Sequence, residues 1–114
     1  MGKVLHRKLI RDNAPDNMRK AGVTFETRQL EEVEFKKELL KKVIEEAGEL
    51  CSSEGNENMA GELADILDII DEIKKTFDIS EAGLTKARAI NAKKKGGFEQ
   101  RILLEWSNVE QKGS

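Results

Sequence analysis

Two long segments of this chain repeat apolar residues every three to four positions, and that period leaves little choice of fold. The first runs from about residue 31 to 51 and the second from Met59 to Phe77, with the polar loop SEGNEN (53–58) between them. Apolar stripes of this period and length are amphipathic helices. They predict a mainly α protein built on a helical bundle.

The remainder fits around that pair. Residues 3–10 mix basic and apolar positions as an extended arm. RDNAPDNMRKAG (11–22) predicts a short helix, with Asp12 or Asn13 as cap, Pro15 in the first turn and Gly22 at the stop. VTFETRQ (23–29) alternates and predicts a short strand. Asp78 or Ser80 starts a third long helix that runs to about Lys94 and breaks at Gly96-Gly97. In FEQRILLEW (98–106), Phe98, Ile102, Leu104 and Trp106 share a face, so a second strand is expected there, able to pair with 23–29. No repeat or linker divides the chain, and its 114 residues predict one domain over 1–114.

The acids are the informative part. A helix turns about 100° per residue; with Phe35 at zero, Leu39, Leu50, Val43 and Ala47 fall between about 40° and 120°, and Leu40 and Ile44 extend the stripe to about 180°. Glu46 falls inside that arc, at about 20°. Glu49 lies on its edge and Glu45 one step further out. On the second helix Glu62 sits among Ile66, Ile69 and Ile73, with Asp65 at the border. A buried lone carboxylate is costly, and two in facing stripes repel. With no Lys or Arg expected in either stripe, the compensating cation is expected to be a metal. Oxygen donors without His or Cys favour Mg²⁺, with Mn²⁺ as a substitute, over Zn²⁺. The single histidine, His6, lies outside the helices, which disfavours a Glu-x-x-His di-iron site. Glu45 taken alone reads as a solvated pair with Lys41.

Composition narrows the setting. There are 20 Lys+Arg against 22 Asp+Glu, which argues against a general nucleic-acid polymer as partner. Cys51 stands alone, so no internal disulfide is available and a buried thiol in a reducing, cytoplasmic protein is expected. No apolar run approaches the ~20 residues of a membrane span.

EEAGE (45–49), twelve residues, then ELAD (62–65) resembles the Glu-Glu-x-x-Glu, spacer, Glu-x-x-Asp pattern of the all-α nucleotide pyrophosphohydrolases, the MazG-like superfamily. KLIRDNAP (8–15) is similar to the Lys-Leu-Val-Arg-Asp-x-Ile-Pro signature of its house-cleaning branch. KKKGGFEQRILLE (93–105) is similar to that branch's Lys-Arg-Gly-Gly-Phe-x-x-Arg ending. The departures are Ala14 for Ile, Lys95 for Arg, and Gly48 and Gly61 within the motif helices; none removes a ligand.

The resemblance implies a MazG-like bundle with two short peripheral strands that hydrolyses a nucleoside triphosphate, non-canonical ones included, to monophosphate and pyrophosphate. It implies that Glu46, Glu49, Glu62 and Asp65 hold Mg²⁺ and that Glu45, with Glu46, serves catalysis at a second metal or the attacking water. Lys8, Arg11, Lys94, Lys95 and Arg101 become candidates for substrate phosphate. Lys93 to Lys95 equally complement a helix C-terminus, and Arg11 equally pairs with Asp12. A homo-oligomer, dimer or tetramer, is implied as well. Two alternatives stay open: phosphoribosyl-ATP pyrophosphohydrolase of histidine biosynthesis, and a non-catalytic nucleotide- or metal-binding module. Phe98 and Trp106 read as core or interface residues.

Overall fold

The computed structural model describes residues 2–112 and contains four α-helices: α1 (Ala14–Lys20), α2 (Glu32–Ser52), α3 (Asn56–Thr76) and α4 (Glu81–Lys95). The mainly α expectation holds. Both long helices appear within three residues of the ends read from their periodicity. The loop between them is shorter than SEGNEN, because Asn56 to Asn58 already belong to α3.

The chain divides into two compact units, Met1–Asp78 and Ile79–Ser114. In the first, α2 packs against α3. Only residues 53–55 join them, so they run antiparallel as a helical hairpin. Leu39 is 3% exposed and is the one buried hydrophobic residue among those described. The arm before α1 lies along the hairpin, where Lys8 reaches α2 and Arg11 reaches α3. Pro15 occupies the first turn of α1, and Asn13 takes the cap position without a side-chain hydrogen bond. The helix stops where Gly22 adopts φ +74°, a conformation that suits glycine.

In the second unit Ser80 caps α4 by accepting a hydrogen bond from the Gly83 N–H at 3.0 Å. Gly96, at φ +77°, ends it.

The two expected strands are absent among the described residues. Residues 23–29 and 98–106 carry no β ladder. Alternation marks backbone that is free to extend, but a strand exists only where another strand takes its hydrogen bonds. Segment 23–29 is held by side chains instead: Arg28 makes a paired contact with Glu34 at 3.0 and 2.7 Å, and Arg19 lies over the Phe25 ring. Phe98 and Trp106 are exposed, so the core alternative for them does not hold. Cys51 is exposed rather than buried, because its position on α2 points away from α3. No helix is long and apolar enough to cross a membrane among the described residues.

Candidate metal centre

The hairpin brings three of the four expected ligands together. Carboxylate oxygens of Glu46 on α2, and of Glu62 and Asp65 on α3, lie within 4.8 Å of one another. Glu62 and Asp65 are three residues apart and share a helix face; packing α2 on α3 carries Glu46 to that face. The Glu46 side chain is only 14% exposed. Burial, then the negative charge of Asp65, push its carboxyl above the ordinary carboxylate range, with further contributions from Glu45 and Glu62. Glu49, the fourth expected ligand, is exposed on α2 and is not part of this threesome.

The arrangement also corrects the expectation that no basic residue occupies either stripe. Lys42 falls at about 340° on the α2 wheel, on the border of the arc between Glu49 and Phe35. Its side chain is 13% exposed, with Nζ 2.6 Å from Glu45 and 3.9 Å from Glu46. The same projection that placed Glu46 would have found it, since Lys42 lies three and four residues before the two glutamates. Lys36 lies within the α2 arc at about 100° and Lys74 just beyond the border of the α3 arc, and their aliphatic stems can cover apolar surface while the amines stay paired.

Glu45 does not form the expected pair with Lys41, which bonds Glu38 at 3.3 Å instead. Glu45 stands between two other amines, Lys42 and Lys8, the latter at 3.0 Å. Burial opposes its charge, but the hydrogen bonds and charges of Lys42 and Lys8 outweigh that and hold its pKa below the ordinary range. Lys8 is correspondingly raised, through Glu45 first and then Glu49 and Glu46.

Arg11 does not pair with Asp12. It donates to Asp65 at 3.0 Å and to Asp68, one turn further along α3. The charges of Asp68, Asp65 and Glu46 all favour its protonated form. Asp68 was not singled out from sequence; its place three residues after Asp65 was the available signal. Two expected phosphate contacts, Lys8 and Arg11, therefore reach the acid set directly. Beside Lys8 an open groove is lined by Arg7, Lys41 and Lys42 as well as Glu38 and Glu45. His6 also borders this groove and lies exposed on the arm, as expected.

Lys94, Lys95 and Arg101 belong to the second unit. There Lys94 and Lys95 are exposed in the last turn of α4, and Arg101 is exposed with φ +56°.

The donor set fits a hard dication on its chemistry. Glu46, Glu62 and Asp65 offer oxygen only, and Glu46 carries charge that its protein neighbours do not fully offset. No protein-family model, curated protein or solved structure matches this chain.

Proposed function

We propose that this protein is a Mg²⁺-dependent nucleotide pyrophosphohydrolase. The observation that carries the reading is the convergence of Glu46, Glu62 and Asp65 at the centre of the hairpin, with Lys8 and Arg11 against it. The motif resemblance supplies the reaction: water cleaves the anhydride between the α and β phosphates of a nucleoside triphosphate, giving monophosphate and pyrophosphate.

In this reading Glu46, Glu62 and Asp65 hold the ion, with Glu49 available from the next turn of α2. Bound Mg²⁺ supplies neutralising charge for the phosphate oxygens and the leaving pyrophosphate. The chain's own residues do the positioning. Lys8 and Arg11 sit where a polyphosphate would meet the acids, and each can exchange a carboxylate partner for a phosphate oxygen. Lys42 holds Glu45 ionised and oriented, so Glu45 can accept a hydrogen bond from the attacking water. Lys94, Lys95 and Arg101 are further phosphate candidates on their motif alone. A homo-oligomer belongs to the same proposal.

The three internal cations favour one competing reading, an ion-paired hairpin that binds nucleotide or metal without turnover. One assay separates the two. The protein is incubated with Mg²⁺ and a panel of normal and modified triphosphates plus phosphoribosyl-ATP, and the products are resolved. Monophosphate and pyrophosphate, lost in EDTA, are expected. Cleavage of phosphoribosyl-ATP alone moves the assignment to histidine biosynthesis. Absence of turnover, with Mg²⁺-dependent stabilisation by nucleotide, replaces the enzyme with the binding module.

A further inference from the structure

Arg11 meets α3 with both prongs of its guanidinium fork. Nη1 donates to Asp65 Oδ1 at 3.0 Å, and Nη2 donates to Asp68 Oδ2. The two carboxylates are not equivalent. Asp65 belongs to the threesome with Glu46 and Glu62, whereas Asp68 does not. Three residues along a helix change the direction by about 60° and advance it ~4.5 Å, so Asp68 stands beside Asp65 and further from Glu62. Lys8 shows the same arrangement on α2. Its partner there is Glu45, the neighbour of Glu46 and likewise outside the threesome. The arm is thus tied to both helices through carboxylates that flank the cluster, and Asp65 is the member that cluster and arm share.

That sharing creates a competition. An ion held by Glu46, Glu62 and Asp65 draws on the Asp65 carboxylate and sets two positive charges beside the guanidinium. Both effects weaken the Arg11–Asp65 bond. The Asp68 carboxylate lies outside the ion's ligand set and is spared the first of them. A guanidinium carries five N–H donors in a fixed plane, so one edge can stay on a carboxylate while donors freed from another turn to a new acceptor. The Arg11 side chain is 63% exposed and that of Asp68 is 55% exposed, which leaves room for the exchange.

We infer that Asp68 is a positioning residue for Arg11. It keeps the guanidinium at the edge of the metal centre when the ion takes Asp65, and it leaves the released N–H groups to a phosphate oxygen of the substrate. The inference rests on the metal reading above and adds a residue outside the acid motif from which that reading starts. Without Asp68, Asp65 is the one carboxylate left to Arg11 among its described partners. The ion then has to break that remaining pair to bind. Arg11 and the ion exclude each other, and each weakens the other's hold by the same factor. With Asp68 present, Arg11 has somewhere to stay, and both cations occupy the site together.

A double-mutant cycle on the full chain, read by calorimetric titration with Mn²⁺, tests it. Both residues are more than half exposed, so their substitution spares the fold. Asp68→Asn is expected to weaken Mn²⁺ binding about 10-fold, through lost negative charge and through undivided competition from Arg11. Arg11→Gln is expected to tighten it about 3-fold, since no cation has to give way. In the Arg11→Gln background Asp68→Asn should cost under about 3-fold, because only its charge is then lost. Trypsin gives a second reading: Mg²⁺ should speed cleavage after Arg11 more in Asp68→Asn than in the wild type. Equal weakening by Asp68→Asn in both backgrounds overturns the inference and makes Asp68 act on the ion directly. Unchanged Mn²⁺ binding in Asp68→Asn overturns it too, as does a Mg²⁺ effect on cleavage that is the same in both proteins. Failure of the metal reading is distinct, since the wild type then takes up no Mn²⁺ and the inference falls with it. Mn²⁺ binding without nucleotide turnover removes the reaction alone, and the cycle still decides the role of Asp68.

Discussion

The two sides of the α2–α3 hairpin are built from the same two helices and solve opposite problems. On one side carboxylates crowd together and the chain answers them itself, with Lys42 from within α2 and with Lys8 and Arg11 from the arm. On the other side Leu40, Ile44, Leu63 and Leu67 remain exposed. Charge can be met by one long side chain reaching across, whereas apolar area needs a whole second surface. The charged side is therefore largely answered within the hairpin and its arm, whereas the apolar side stays exposed.

The largest expected effect falls on the charged side. Glu62→Gln should lower turnover about 100-fold or more, since even residues that only support metal ligands cost 10–100-fold. Titration with Mn²⁺ should show the loss of metal binding alongside it. Unchanged binding and turnover would remove Glu62 from the centre.

Leu39→Ala strikes the contact from which both sides diverge. At 3% exposure the leucine is fully packed, and its loss should cost about 2–5 kcal/mol in a denaturant titration. A cost well below that range would mean that α2 and α3 are held chiefly by something other than their shared core.

Lys42→Met asks how far the charged side depends on its internal cation. Glu46 would lose its amine and Glu45 one of two, so stability without metal should fall by about 1–3 kcal/mol. Saturating Mg²⁺ should return most of that loss. Equal loss with and without Mg²⁺ would separate Lys42 from the metal's neighbourhood.

The smallest expected effect has the opposite sign. The folded protein holds the Glu46 proton more tightly than the unfolded chain does, because burial and Asp65 raise its pKa. Protonation of Glu46 therefore favours folding, fully so below the unfolded value near 4.5, and this contribution is lost as pH rises through the raised value. Glu45, whose pKa is lowered, contributes stability above its unfolded value and loses it as pH falls. At neutral pH in EDTA, Glu46→Gln should consequently melt slightly above wild type, and added Mg²⁺ should erase or reverse the difference. A variant that melts lower in EDTA would show that Lys42 already satisfies Glu46.

Much of the site was legible because a helix converts sequence spacing into direction with little ambiguity. Rotation alone placed Glu46 and Glu62 inside facing stripes and Glu49 and Asp65 on their borders, and the structure brings together the oxygens of Glu46, Glu62 and Asp65 but not Glu49. Lys42 was equally legible and was passed over, which exaggerated how much the acids depend on a metal. The arm's contacts were not legible by that means. Arg11 and Asp68 are 57 residues apart, and no period links an extended arm to a helix. The strand expectation failed for a related reason, since alternation in 23–29 and 98–106 describes each segment but supplies no partner for it.

By itself the sequence determined the four helices, their stops at Gly22 and Gly96, and the three acids that face the hairpin's centre, because these follow from local backbone preference and a fixed angular period. Only the tertiary structure decided which half of each apolar arc would be covered, which carboxylate each cation would take, and whether alternating segments would become strands. Those outcomes depend on what lies within a few ångströms across space, and short-range electrostatics and packing are settled there.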